Sequence, residues 1–320
     1  MIRTGRRALL GAALLAAPAR AEAWPARPVR LVVPFPPGGP ADLLARLLAE
    51  RLAEGWGQPV IVENRGGAGG NIGAEAVARA APDGHVLLLC ASSHVQGAAL
   101  YTRLAFDPVR DFAPVAQLAY YSLVLVVHPS VPAADLAGFE ALLRADPGQV
   151  TLASAGIGTP THLTAELFRS RAGVAFTQVP FGGAAPAHAA LLGGQVQAMF
   201  HNPVMAVPPV RAGRLRALVT TGAARAAALP AVPTLAESGY PGFESGTWYA
   251  VLGPAGLPAP VAARIAADLR RAVALPAVRG TLAAQSMEPR DLGPDQLAAV
   301  MREELARWGE VIRRLGIRQD

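Results

Sequence analysis

The chain reads as an α/β protein with two sheets facing one cleft. Two observations carry this. A rhythm of short apolar run, glycine-rich loop and amphipathic run recurs along the 320 residues. Alternation of that kind builds layered, mostly parallel sheets with helices on their faces. Three of the loops, 34–42, 154–162 and 180–188, lie where a strand feeds a helix, the place where open α/β sheets hold ligands. The first stands far along the chain from the other two, so the loops belong to different sheets.

The elements follow in order. Arg3, Arg6 and Arg7, the apolar run Ala8 to Ala17 and the small-x-small site Ala19-Arg20-Ala21 read as a secretory signal peptide over 1–21, with cleavage after Ala23 as the alternative. The Arg6-Arg7 pair leaves general and twin-arginine export both open. The apolar run is too short to span a bilayer. Val29 to Val33 is a strand, Pro34 to Gly39 a loop, and leucines at 43, 44, 47, 48 and 52 mark a helix. Val60 to Val62 is a strand, 64–70 a loop, Asn71 to Ala80 a helix and Val86 to Cys90 a strand. Leu123 to Val127 is a strand, Leu136 to Ala145 a helix, Val150 to Ala153 a strand and Leu163 to Arg171 a helix. Ser122 to His128 and Gly246 to Leu252 are the candidate crossings between two lobes. Pro260 to Leu315 is helical by pattern and returns to the first lobe.

Composition narrows the chemistry. The formal charge is +6, but Arg3, Arg6, Arg7 and Arg20 lie within 1–21, which holds no acid, so the remainder carries +2. A nucleic-acid partner is not supported. All 29 basic residues are arginine. This excludes a Walker A loop, a Schiff base and a lysine general base. The single cysteine, Cys90, sits in an apolar run and reads as a buried thiol. GxGxxG fails at Ile72 and again at Thr161, GxSxG is absent, and the six histidines form no HxH or HxxxH pair. No catalytic set, metal site or cofactor is expected.

What remains is a backbone anion site. Phe35, Pro37, Gly38, Gly39, Pro40 and Asp42 bring a loop to a helix start, where unpartnered N–H groups and the dipole favour negative charge. The glycine pair could equally serve only a tight turn, and Pro40 and Asp42 favour helix initiation on their own. Gly66 to Gly73 reads as a turn with a close helix–sheet contact. His162 and His188 lie near predicted helix starts, as cleft or structural histidines. Trp248 either walls a pocket or fills a core. Arg211, Arg214 and Arg216 read as a solvated turn.

The residues then resemble a known family, the Bug-type extracytoplasmic receptors of the tripartite tricarboxylate transporters. The resemblance runs through Arg27-Pro28-Val29-Arg30, Pro34-Phe35-Pro36-Pro37-Gly38-Gly39, Gly57 to Arg65, Gly67 to Gly73, Ala81-Pro82-Asp83-Gly84 and Asp111-Phe112-Ala113-Pro114. It continues in Val179-Pro180-Phe181, Gly193-Gly194-Gln195-Val196 and Leu229 to Glu237, and covers Trp24 to about Ile317. It implies a type II periplasmic binding protein fold, with lobe 1 over 24–122 plus 246–320 and lobe 2 over 123–245. It implies a monomeric, non-catalytic periplasmic receptor that closes on a small organic acid and delivers it to membrane subunits. A receptor docking on a sensor kinase is the alternative, and a periplasmic enzyme is disfavoured.

Carried over by position, the ligand-binding set adds Gly158, Thr159, Thr161 and His162, then Phe181, Gly182, Gly183 and Ala184. Ser92, His94, His201, Asn202 and Trp248 complete it. Three departures stand out. The family's usual Pro-Tyr-Lys-Gly-Ser is Pro180-Phe181-Gly182-Gly183-Ala184 here, its Met-Phe-Asp is Met199-Phe200-His201, and Pro40 replaces a small residue. A histidine at 201 beside an anion is expected to gain a proton, so binding should strengthen from about pH 8 to 6.

Overall fold

The computed structural model describes residues 24–101, 103–284 and 286–316. The expected signal peptide over 1–21 lies outside them. The chain forms β1 (Val29–Val33), α1 (Pro40–Trp56), β2 (Val60–Asn64), α2 (Asn71–Ala78), β3 (Val86–Ala91), the single turn α3 (Ser93–Gln96) and β4 (Phe112–Ser122). Next come β5 (Val124–Val127), α4 (Leu136–Ala145), β6 (Thr151–Ser154), α5 (Pro160–Ala172), β7 (Thr177–Pro180), α6 (Ala184–Leu192), β8 (Ala198–His201), α7 (Pro203–Arg211) and β9 (Arg216–Thr220). The last are β10 (Gly246–Pro254), α8 (Ala259–Ala274), α9 (Pro276–Ala284), β11 (Glu288–Leu292) and α10 (Pro294–Leu315).

Two sheets result. One has the order β11-β4-β10-β3-β1-β2, the other β7-β6-β8-β5-β9. Both are mixed, which corrects the mostly parallel expectation. β1 runs parallel to β2 and β3, and β6 parallel to β7 and β8. β10 is antiparallel to β3 and β4, and β5 to β8 and β9. β10 and β5 enter their sheets from the opposite lobe and run against their neighbours; β11, which follows no crossing, is also antiparallel to β4.

The crossings lie side by side. The chain leaves the first sheet at Ser122 and enters the second at Val124; it returns through 221–245 into β10, where Gly246 pairs with Ser122. Thr221 ties them together. Its N–H donates to the Leu123 carbonyl (2.9 Å) and its hydroxyl to the Ser245 carbonyl (2.5 Å). The Leu123 N–H donates to the Thr221 hydroxyl oxygen (2.8 Å), and the Ser245 N–H to the Thr221 carbonyl (3.0 Å).

Helix α1 shows how the pattern positions a loop. Leu44, Leu48 and Leu52, one per turn, are buried against β1 and β3, with Ala41, Ala45 and Ala49 beside them. Gly57 closes the helix in the left-handed region (φ +64°), its N–H on the Ala53 carbonyl. Sheet face and helix stripe together fix where Gly39 and Pro40 begin the helix. α10 then covers the first sheet's other face, burying Leu297 and Met301 with Val32, Cys90 and Trp248. The Cys90 thiol is buried and donates toward the Ala250 carbonyl, as a structural thiol would. Within the expected C-terminal helical run, β11 is a strand that pairs with β4. Its residues, Glu-Pro-Arg-Asp-Leu, carry no apolar alternation.

Candidate functional site

The first loop is fastened by Asp42. Its carboxylate accepts from the Gly38 N–H (3.0 Å), the Asn64 amide (3.0 Å) and Arg46 Nε (3.0 Å). Asn64 also donates to the Phe35 carbonyl (3.1 Å). Burial alone would raise the Asp42 pKa, but Arg46, the Gly38 N–H and Asn64 outweigh it and hold the carboxyl below its usual value. Asp42 therefore braces the loop from behind, and its charge is matched by Arg46 rather than aimed at the cavity.

The second lobe supplies two loops of the same kind. In the first, the Thr159 hydroxyl donates to the Gly156 carbonyl (2.6 Å). The Thr161 hydroxyl accepts from the Ala155 N–H (2.9 Å) and lies 2.9 Å from Thr159 Oγ1. Thr159's proton is already committed, so Thr161 donates to it. In the second, the Phe181 N–H donates to the Ser154 carbonyl (3.0 Å), placing 181–183 before α6.

The lobes meet over these loops. Pro36 of the first lobe approaches Gly183 of the second so closely that a Cβ there would lie 3.3 Å from the Pro36 ring. At Gly158 (φ +78°) a Cβ would sit 2.9 Å from Leu100 Cδ1, and at Gly97 one would sit 2.9 Å from the Gly158 carbonyl. Glycine is needed at both, and the cleft is closed.

Inside lies a cavity of about 70 Å³. Its walls are the helix starts: Gly39, Pro40 and Ala41 of α1, Thr159 to Thr161 of α5, and Ala184 and Ala185 of α6. Its floor is the crossing region, with Tyr121 of β4 and Thr247 and Tyr249 of β10. The two phenol oxygens lie 3.1 Å apart, and burial keeps both phenols protonated. Asn202 lines it too, and its Oδ1 caps α7 by accepting from the Met205 N–H (2.9 Å). Among the described residues no ionisable side chain other than the two phenols lines the cavity. α1, α5 and α6 all begin without a side-chain cap, so three sets of orphan N–H groups and three positive dipole ends converge here.

The structure divides the expected set. Phe35, Pro37, Gly39, Pro40, Thr159, Thr161, Ala184 and Asn202 line the cavity. Phe181 and Gly182 line an adjoining chamber. Gly38, Gly158 and Gly183 shape loops without lining the cavity. His162 is buried at the start of α5, where it accepts weakly from the Gly158 N–H (3.4 Å). Burial, with Arg169 nearby, pushes its pKa down to about 4.

Four expectations fail on geometry. Trp248 belongs to the core on the opposite sheet face, because alternation along β10 turns Thr247 and Tyr249 inward and Trp248 outward. His94 Nε2 donates to the Pro108 carbonyl (2.9 Å) and the ring stacks on Phe106, away from the cleft. Ser92 is fully buried outside the cavity. His201 is fully buried against His188, Nε2 to Nδ1 2.8 Å, and its pKa is pushed down to about 3 by burial and then by His188. No imidazolium forms there, which removes the basis for acid-strengthened binding. The solvated-turn reading of Arg216 also fails, since Arg216 opens β9 and donates to the Val131 and Ala133 carbonyls. Sequence reasoning missed Tyr121, Thr247 and Tyr249; the period of a strand groups Thr247 with Tyr249 on one face, but no signal in 246–252 says that this face meets the cleft.

Known proteins share this arrangement. The profile of the tripartite tricarboxylate transporter family receptor matches residues 44–317. Protein BugT of Bordetella pertussis is 40% identical over 304 residues, covering 94% of this chain and 93% of its own. The periplasmic binding protein BugD superposes with a TM-score of 0.88 at 32% identity, covering 93% of this chain and all of BugD. MatC from Rhodopseudomonas palustris, solved with bound malate, gives 0.86 at 37% identity, covering 90% of this chain and all of MatC. The fold is that of a two-lobed periplasmic binding protein, and the relatives are substrate-binding receptors rather than enzymes. The chain belongs to the tripartite tricarboxylate transporter receptor family.

Proposed function

We propose that this chain is a periplasmic receptor that captures a small organic carboxylate between its lobes and hands it to the membrane subunits of a tripartite tricarboxylate transporter. One observation carries the reading: three uncapped helix N-termini, from both lobes, converge on a cavity without a side-chain ion. An N-cap acceptor is worth about 1 kcal/mol to a helix. A carboxylate in the cavity supplies acceptors to all three at once and meets three favourable dipoles. Malate in MatC is a ligand of this class. The lobes, 24–122 with 246–316 and 123–245, then act as units that turn about the two crossings, near Ser122 to Val126 and Gly246 to Ala250. Closure gives the membrane subunits a distinct shape to recognise. Export through a cleaved signal peptide completes the reading.

A thermal-shift screen of the mature protein against organic acids, sugars and nucleotides tests it. At a hundredfold excess over Kd, an acid should stabilise the protein by about 2.7 kcal/mol. Stabilisation by sugars or nucleotides alone would overturn the reading. Uptake of the stabilising acid into proteoliposomes that hold the membrane subunits should require the receptor.

A further inference from the structure

We infer that Tyr121 and Tyr249, on the strands beside the two crossings, form a ligand-binding pair that donates one phenol proton to an oxygen of the bound acid. The inference rests on the carboxylate reading above and adds binding residues to it.

The sheet register builds the pair. β4 and β10 run antiparallel, with Thr247 opposite Tyr121 and Tyr249 opposite Ala119. Strand alternation puts these four side chains on one sheet face. On its other side Tyr249 is opposite Ala91 of β3. Two small neighbours leave the Tyr249 ring room to lean along the diagonal, and its centroid lies 5.9 Å from that of Tyr121. Tyr121, Thr247 and Tyr249 all line the inner cavity. Tyr121 is 5% exposed, and Thr247 and Tyr249 are 3% exposed each.

A count of protons then assigns the role. Burial raises the pKa of both phenols, so both keep their protons at neutral pH. Two hydroxyls carry two protons, and the bond between them (3.1 Å) uses one. The Thr247 hydroxyl also bonds to Tyr121. It adds one proton and one bond, so the surplus is unchanged. Whichever way the hydroxyls turn, one proton is left over. Among the described residues no other group bonds to either phenol oxygen. The space these hydroxyls line is the cavity, and the surplus proton is directed into it.

A buried donor without an acceptor is costly. An oxygen of a bound acid supplies the acceptor, and an ionised oxygen makes the stronger bond. A hydroxyl that accepts from its neighbour is polarised and donates better in turn. The helix starts thus hold the acid from the walls and the phenol pair holds it from the floor. The accepting oxygen belongs either to the carboxylate or to a hydroxyl beside it, and the test separates the two.

Calorimetric titration of wild type and of the double variant Tyr121→Phe with Tyr249→Phe tests this, with butanoate, 2-hydroxybutanoate, succinate and benzoate as probes. The double variant removes both partners of the phenol bond and keeps both rings, so its unliganded melting temperature should change little. The probes that wild type binds should bind the variant about tenfold or more weakly, the scale of a hydrogen bond to a charged group. Equal weakening across the probes places the proton on the carboxylate. Loss of a wild-type preference for 2-hydroxybutanoate over butanoate places it on the hydroxyl. Either result supports the pair as a binding element. If every probe keeps its wild-type affinity, the pair serves the fold alone, which overturns the inference and leaves the receptor reading standing. If wild type binds none of the probes, the carboxylate reading itself fails and the pair's assignment falls with it.

Discussion

At the scale of single residues, charge is used here to build loops and not to line the cavity. Asp42 is the clearest case. Three donors converge on its buried carboxylate, one of them the Gly38 N–H that sets the turn before α1. Asp42→Asn exchanges charge-assisted bonds for neutral ones and turns amide hydrogens toward existing donors, which should cost about 1–3 kcal/mol of stability at pH 7. The folded pKa of Asp42 is depressed, so its contribution is present above its unfolded pKa and fades as pH falls through the folded value. Urea denaturation should therefore show wild type and variant converging in strong acid; a constant gap would mean that the carboxylate's charge is irrelevant. The sequence showed Asp42 near the site but left open whether it initiated the helix or faced the ligand. Its partner Asn64 lies on the next strand, and no local pattern reports that contact.

At the scale of elements, strand–loop–helix units were legible because each carries its own signals. The apolar stripe of α1 and the N1 prolines of α1 and α5 place helix starts within the chain itself. The α4 boundaries follow from Asp135 capping at Gly138 (2.8 Å) and from the turn after Ala145. β11 was not legible, since an edge strand with half-exposed polar residues lacks the alternation that marks a buried face. Trp248 was ambiguous for a related reason: alternation names two faces but not which of them meets the cleft. The crossings depend on an element-level brace at Thr221. Thr221→Val keeps the shape and removes the acceptor for the buried Leu123 N–H, together with the donor to Ser245. The expected loss is about 1–3 kcal/mol for the unsatisfied group. Hydrogen exchange should localise the loosening to 122–124 and 245–247. Protection lost uniformly through both sheets would place the effect in general packing.

At the scale of the whole molecule, the two lobes differ in how many histidines have a pKa lowered by burial, and this predicts how the protein fails in acid. Of the histidines whose pKa burial lowers, His94 lies in the first lobe, and His162, His201 and the half-buried His188 lie in the second. Burial lowers the pKa of all four, to about 4 for His94 and His162 and about 3 for His201. A histidine whose folded pKa is depressed binds fewer protons folded than unfolded, so stability falls as pH drops below the unfolded value near 6.5. At pH 5.5 each of His94, His162 and His201 should cost about 1 kcal/mol, whatever their exact folded values, since all lie well below that pH. His188 adds in the same direction. Buried Glu166 works oppositely, because burial raises its pKa and its penalty fades as pH falls through the folded value. The second lobe thus bears at least two of these penalties against one in the first. Thermal scans from pH 7.5 to 5.5 should show falling stability, with 123–245 yielding to limited proteolysis before the remainder. His201→Gln should flatten the slope while leaving organic-acid affinity unchanged between pH 8 and 6, because the residue lies outside the cavity and carries no charge there. Affinity that rises toward pH 6 in wild type and not in the variant would instead return His201 to the binding site.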